Sequence, residues 1–148
     1  MKVSTKVEYG LVALTDIALN TCNESSVTAL GISERNGISQ KYLEQIMPSL
    51  KQAGLIKAQK GLKGGYTLAK PAESIRMSDI LNALDNNILA NMESSGKNEG
   101  FELREVVNNC LWKRLNYYLV DFSENLTFAD FLQECRQQAA KGWDMYVI

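Results

Sequence analysis

A chain of 148 residues with 45% apolar and 22% charged residues has the composition of one folded domain, or of a compact module with an arm. No apolar run approaches the roughly 20 residues of a bilayer span and no apolar leader opens the chain, so a cytoplasmic, non-membrane protein is expected. The net charge of −1 conceals +4 over residues 1–70 and −5 over 71–148, and within 41–70 six lysines stand against Glu44 alone, a footprint for a polyanion.

Residues 5–20 place Val7, Leu11, Leu14, Ile17 and Ala18 on one helical face, and Thr5 followed by Glu8 has the form of a capping box. After a polar loop, a short helix is predicted over 28–36. Thr28 caps it, Leu30 and Ile32 turn to a core, and Gly37 is the stop; Gly31 weakens it. Ser39 then caps a second helix with Tyr42, Leu43, Ile46 and Leu50 inward and Gly54 past its end. Two helices joined by a short glycine-bearing turn have helix-turn-helix spacing. Pro48 lies inside the second helix and predicts a bend, which puts the base-reading turn at 39–47.

Residues 55–60 read as a strand, Gly61-Leu62-Lys63-Gly64-Gly65 as a turn and 66–69 as the return strand. Three glycines in five residues would supply the positive-φ positions of a hairpin tip. GLKGG lacks the GK[ST] ending of a phosphate-binding loop. A hairpin directly after a helix-turn-helix is the wing of a winged helix. Pro71 closes it, and Ser78 is expected to cap a short helix carrying Ile80, Leu81 and Leu84. Residues 86–100 are polar and read as a flexible loop. Residues 101–122 then give a long helix with Leu103, Val107, Leu111, Leu115, Leu119 and Phe122 in a near-heptad seam, supported by Cys110 and Tyr118. That face is more apolar than a lone surface helix needs, so a second subunit is expected against it. Phe128, Phe131, Leu132, Cys135 and Ala139 line a last helix before the tail from Trp143 to Ile148.

The expected fold is mainly α with a small β-hairpin. A winged helix-turn-helix fills 1–85, a loop 86–100, and a helical dimerisation region with its tail 101–148. An enzyme has little support: there is no histidine, no GxSxG or HExxH motif, and no recurring pair of carboxylates on one helix face. Cys22, Cys110 and Cys135 are odd in number and widely spaced, with no CxxC pair, so they form neither a disulfide framework nor a zinc site.

Three stretches together resemble the Rrf-two family of bacterial transcription regulators, the group that includes IscR, NsrR and CymR. They are Met1-Lys2-Val3-Ser4-Thr5-Lys6 with Tyr9-Gly10-Leu11; Ile38-Ser39-Gln40-Lys41-Tyr42-Leu43-Glu44-Gln45-Ile46; and Ala53-Gly54-Leu55-Ile56 with Lys60-Gly61-Leu62-Lys63-Gly64-Gly65-Tyr66. The resemblance implies a homodimeric winged-helix protein, usually a repressor, on an imperfect palindrome of double-stranded DNA. It places Ser39, Gln40, Lys41, Tyr42, Glu44 and Gln45 in the recognition helix, where Gln suits adenine, Lys guanine and Glu cytosine. Tyr42 and Leu43 have domain packing as their competing role. Lys60 stands where many members carry a minor-groove Arg, and it keeps the charge without the planar fork. Lys51, Lys57 and Lys63 read as phosphate contacts that position the protein and give salt dependence.

Many members hold an iron–sulfur cluster on three cysteines in the loop before the long helix. Here that loop has none, Cys110 lies only two residues before Trp112, and the positions nearest the ligands carry Ser94, Gly100 and Val106. Glu8 matches an acidic position that some members use as an extra ligand, with helix capping as its preferred role. The expectation is therefore no cofactor and a resemblance to the cluster-free CymR type, which implies a link to cysteine metabolism. Tyr146, Val147 and Ile148 resemble the tail by which that type is partnered by a cysteine synthase; packing back onto the dimer core is the competing role, ranked ahead. The alternatives carried forward are a winged-helix module for protein–protein contact, and an iron–sulfur or thiol redox sensor of the same family.

Overall fold

The computed structural model describes residues 3–21, 25–62, 64–90 and 102–146, with side chains as far as residue 142. Helix α1 spans Thr5–Asn20 and helix α2 Ala29–Asn36. The α1 cap is Ser4, whose hydroxyl accepts from the Val7 N–H, so the predicted capping box at Thr5 and Glu8 is one residue late. Ser4 wins because its backbone is extended (ψ 155°) while Thr5 is already helical, and an N-cap needs non-helical dihedrals. Thr28 caps α2 as expected, accepting from the Gly31 N–H at 3.0 Å, and Gly37 ends it in the left-handed conformation at φ 65°. Leu30, expected inside, is 52% exposed; in so short a helix only Ile32 reaches the core.

Helix α3, Gln40–Gln52, buries Leu43, Ile46, Met47 and Leu50. It runs through Pro48 as one element, and Pro48 lies on the exposed side, where water can satisfy the carbonyl that its missing N–H leaves free. Strands β1 (Ile56–Gln59) and β2 (Gly65–Leu68) pair antiparallel with Ile56 opposite Leu68 and Gln59 opposite Gly65. Val27, just before α2, exchanges both backbone hydrogen bonds with Tyr66, so the wing is tied to the helix-turn-helix along its inner edge.

The glycines of the wing answer two different needs. Of the three, only Gly61 has a positive φ, at 120°. A Cβ on Gly65 would lie 2.7 Å from the Val27 carbonyl oxygen, and one on Gly64 would lie 2.8 Å from that of Gln59. Those two are small because backbone passes close by, not because of their dihedrals.

Helix α4 is Met77–Leu84, and Arg76 rather than Ser78 is its cap residue: the Arg76 N–H donates to the Asp79 carboxylate at 2.9 Å, while Ser78 is buried inside the first turn. Residues 86–90, predicted as the start of a loop, form turns held by Asp85 and Asn87, with Ile88 half-buried against the core; the rest of that loop, 91–100, lies outside the described residues. The long helix is built of α5 (Glu102–Val107), a π turn over Asn108–Trp112 and α6 (Lys113–Asn125), three residues longer than its predicted end. Helix α7, Phe128–Tyr146, starts inside the core: the Phe128 N–H donates to the Ile75 carbonyl at 2.7 Å, and Phe128 and Leu132 are buried. Ala139, expected to line that helix, is exposed.

The π turn explains how one apolar line persists. Leu103, Val107, Leu111, Leu115 and Leu119 recur every four residues, and at 3.6 residues per turn such a row drifts about 40° around a straight helix at each step. A stretch with i→i+5 bonding turns less per residue, so it brings the later leucines back toward the line of the earlier ones. The side-chain oxygen of Asn108, at the start of this turn, is buried without a hydrogen-bond partner.

Candidate nucleic-acid interface

Helix α3 separates two chemistries cleanly. Its buried residues dock it on α1, α2 and α4, and its other side carries Gln40, Lys41, Glu44, Gln45, Pro48 and Lys51, all exposed. Lys41, Glu44 with Gln45, Pro48 and Lys51 follow the i, i+3/i+4, i+7 spacing of one stripe. Ser39 begins the helix with its hydroxyl accepting from the Tyr42 N–H at 3.1 Å, so that oxygen serves the cap. Tyr42 is half-buried, and its ring meets that of Tyr9 edge-on, with centroids 5.5 Å apart and planes at 81°. The packing role weighed for Tyr42 is thus the contact it makes here.

On the wing, Lys57 and Lys60 are exposed and Leu62 at its tip is fully so; Lys63 lies outside the described residues. Lys41, Lys51, Lys57 and Lys60 have no described carboxylate at ion-pair distance. Four ammonium groups are therefore free for an outside anion, consistent with the basic count over 41–70.

The sequence reading missed the polar cluster behind this surface. Asp16, on the inner side of α1, is only 7% exposed. Arg35 grips its carboxylate with both arms of a fork, Nε to Oδ2 at 2.9 Å and Nη2 to Oδ1 at 2.7 Å, and Asn36 Nδ2 donates to Oδ2 at 2.8 Å. Burial alone would raise the Asp16 pKa, but the hydrogen bonds from Arg35 and Asn36 and the Arg35 charge outweigh it and hold the carboxyl below its usual range. The signal was available: a carboxylate flanked by Ala13, Leu14 and Ile17 on an apolar face requires a partner. Nothing local says that the partner is nineteen residues away.

The arm of α5, the π turn and α6 has the opposite character. Leu103 is 75% exposed, Val107 and Leu111 are 45% and Leu115 is 40%, and Leu119 is half-buried. Cys110 is exposed on the π turn; Cys135, on α7, is half-buried, and burial pushes its thiol pKa up, away from the reactive thiolate. Cys22 lies outside the described residues, as do Val147 and Ile148, while Tyr146 ends α7. Among the described residues no helix is long and apolar enough to cross a membrane.

Comparisons with known proteins agree with this architecture. The family described as "Rrf2: Iron-dependent Transcriptional regulator" matches residues 3–134. The chain is 37% identical over 136 residues to the HTH-type transcriptional regulator IscR of Cereibacter sphaeroides, covering 90% of this chain and 88% of that one. Among solved structures it is similar to CymR, the global cysteine regulator of B. subtilis, with a TM-score of 0.77 at 28% identity over 90% of this chain and 98% of that one. It is also similar to T. potens IscR, with a TM-score of 0.70 at 32% identity over 91% and 88% of the two chains. With a winged helix-turn-helix in place and the family pattern running through nearly all of it, this chain belongs to the Rrf2 family of DNA-binding transcriptional regulators.

Proposed function

We propose that the chain is a cytoplasmic, homodimeric repressor that reads a palindromic operator with α3, grips the flanking phosphates with Lys51, Lys57 and Lys63, and sets Lys60 at the minor groove. The observation that carries this reading is the exposed stripe of α3. Gln40, Lys41, Glu44 and Gln45 offer the donors and acceptors that base edges require, on a helix whose opposite face is locked in the core. The second copy covers the arm, where Leu103, Val107, Leu111, Leu115 and Leu119 make the seam. Two-fold symmetry of the pair then matches the palindrome.

The donor set supports action without an iron–sulfur cluster. Clusters are held by thiolates. The loop 86–100 contains no cysteine, and Cys110 and Cys135 sit on separate helices, one exposed and one half-buried. Likeness to the B. subtilis global cysteine regulator supports a role in sulfur metabolism. A cysteine synthase is the partner enzyme this role names, and loss of its association on removing Tyr146 to Ile148 is the outcome expected.

Selection of bound duplexes from a random pool tests the central reading. A palindromic consensus, bound by dimers in sedimentation, is the result expected. Recovery of no consensus, with binding that depends on salt but not on sequence, would overturn it.

A further inference from the structure

Asp16 lies on α1, yet three hydrogen bonds reach its carboxylate from Arg35 and Asn36, the last two residues of α2. Only Gly37 and Ile38 separate Asn36 from the Ser39 cap of α3, and Ile38 is buried. We infer that Asp16 is a positioning residue for sequence readout: by fixing the final turn of α2 it sets the direction in which α3 leaves the turn. This rests on the proposed reading of α3 as the recognition helix.

Leu43, Ile46 and Leu50 are buried and hold α3 in the core, but apolar contact is non-directional and tolerates small tilts. A two-armed guanidinium–carboxylate pair fixes both distance and angle. Helix α3 is about 20 Å long at 1.5 Å per residue, so a tilt of about 10° at its start moves its far end by about 3 Å. Functional groups must be held to about 0.5 Å and 10–20° to keep their contacts. Gly31 is part of the same device: a Cβ there would lie 3.1 Å from Arg35 Nη1, so the glycine leaves room for the guanidinium to lie along α2.

The test compares the preferred duplex recovered from the random pool with its scrambled counterpart, at a temperature where circular dichroism reports native helix. Asp16→Asn keeps the shape and removes the charge; Arg35→Lys keeps the charge and removes the fork. In each, the ratio of preferred to scrambled affinity should fall about tenfold, the loss of one good base contact. Affinity for the scrambled duplex and the salt slope should stay as in the parent, because no phosphate contact is lost. Asn36→Ala, which removes one of the hydrogen bonds to Asp16 together with the one to the Ile32 carbonyl, should lower the ratio about two- to threefold and carries the test if the first two variants fail to fold. An unchanged ratio in the folded variants overturns the inference, as does an equal loss on both duplexes. A reduced salt slope in Arg35→Lys would mean that Arg35 touches phosphate itself, and would also overturn it. A parent chain that does not distinguish the two duplexes refutes the recognition-helix reading instead.

Discussion

Of the nineteen apolar side chains that form the core among the described residues, seventeen come from residues 7–84, and the other two are Phe128 and Leu132. The arm, 102–125, contributes none, although nine of its large apolar residues, from Leu103 to Phe122, are at least 38% exposed. The winged helix buries a core of its own, with Val12, Leu19, Leu30 and Leu62 among the exceptions, and the arm does not. An apolar seam left in water is an interaction surface. In this chain the contrast is physical: one part exposes charge and amides, and the other exposes leucines that the proposed second copy would cover.

The comparison breaks most visibly at Leu111. Leu111→Asp places a charge in the centre of the seam, and leaving it unpaired on dimerisation costs about 3–5 kcal/mol. The variant should sediment as a folded monomer and lose the operator at concentrations where the parent is saturated. A variant that remains a dimer removes the arm from the interface. Truncations sharpen the same contrast. Leu14→Ala, in a fully buried position of α1, should lower stability by about 2–5 kcal/mol in urea at any protein concentration. Leu103→Ala should leave the monomer within about 0.5 kcal/mol of the parent and shift only the concentration dependence of the transition.

Acid tests the polar cluster of the winged half. The folded Asp16 carboxyl lies below its unfolded value of about 3.9, so its contribution is complete above that pH and is lost as pH falls through and beneath it. Unfolding followed from pH 6 to pH 2.5 should therefore show a steeper loss of stability in the parent than in Asp16→Asn. Parallel curves would mean that the Arg35 fork adds nothing to the charged form.

These contrasts also separate what the sequence could reveal from what it could not. The bounds of α1, the caps Thr28 and Ser39, the stop at Gly37 and the presence of the hairpin were legible because each follows from neighbours within a few residues. The exposed polar stripe of α3 was legible because a helix makes burial periodic. Ser78 misled because a serine near a helix start resembles a cap, whereas Asp79, bonding back to the Arg76 N–H, fixes the start two residues earlier. Gly64 and Gly65 were read as turn residues because the approach of the Gln59 and Val27 carbonyls exists only after the wing has folded. Asp16 with Arg35 was beyond reach because the pair joins residues nineteen apart and is set by tertiary geometry rather than by a local pattern.

The smallest expected effects divide the basic surface itself. Lys57→Ala and Lys60→Ala each remove one exposed ammonium with no ion-pair partner among the described residues, so stability should change by less than about 0.5 kcal/mol. Each should lower the slope of log affinity against log salt by about 1 and weaken preferred and scrambled duplexes alike. Gln40→Ala and Gln45→Ala should do the reverse, leaving the slope in place and relaxing preference at single base pairs by about 1–3 kcal/mol. If the glutamines moved the slope and the lysines moved the preference, the assignment of reading to α3 and gripping to the wing would have to be exchanged. Lys60→Arg then separates charge from shape: it keeps the slope, and a gain in preference for a narrow, A·T-rich groove beneath the wing would show that the planar fork, and not the charge, is what lysine lacks there.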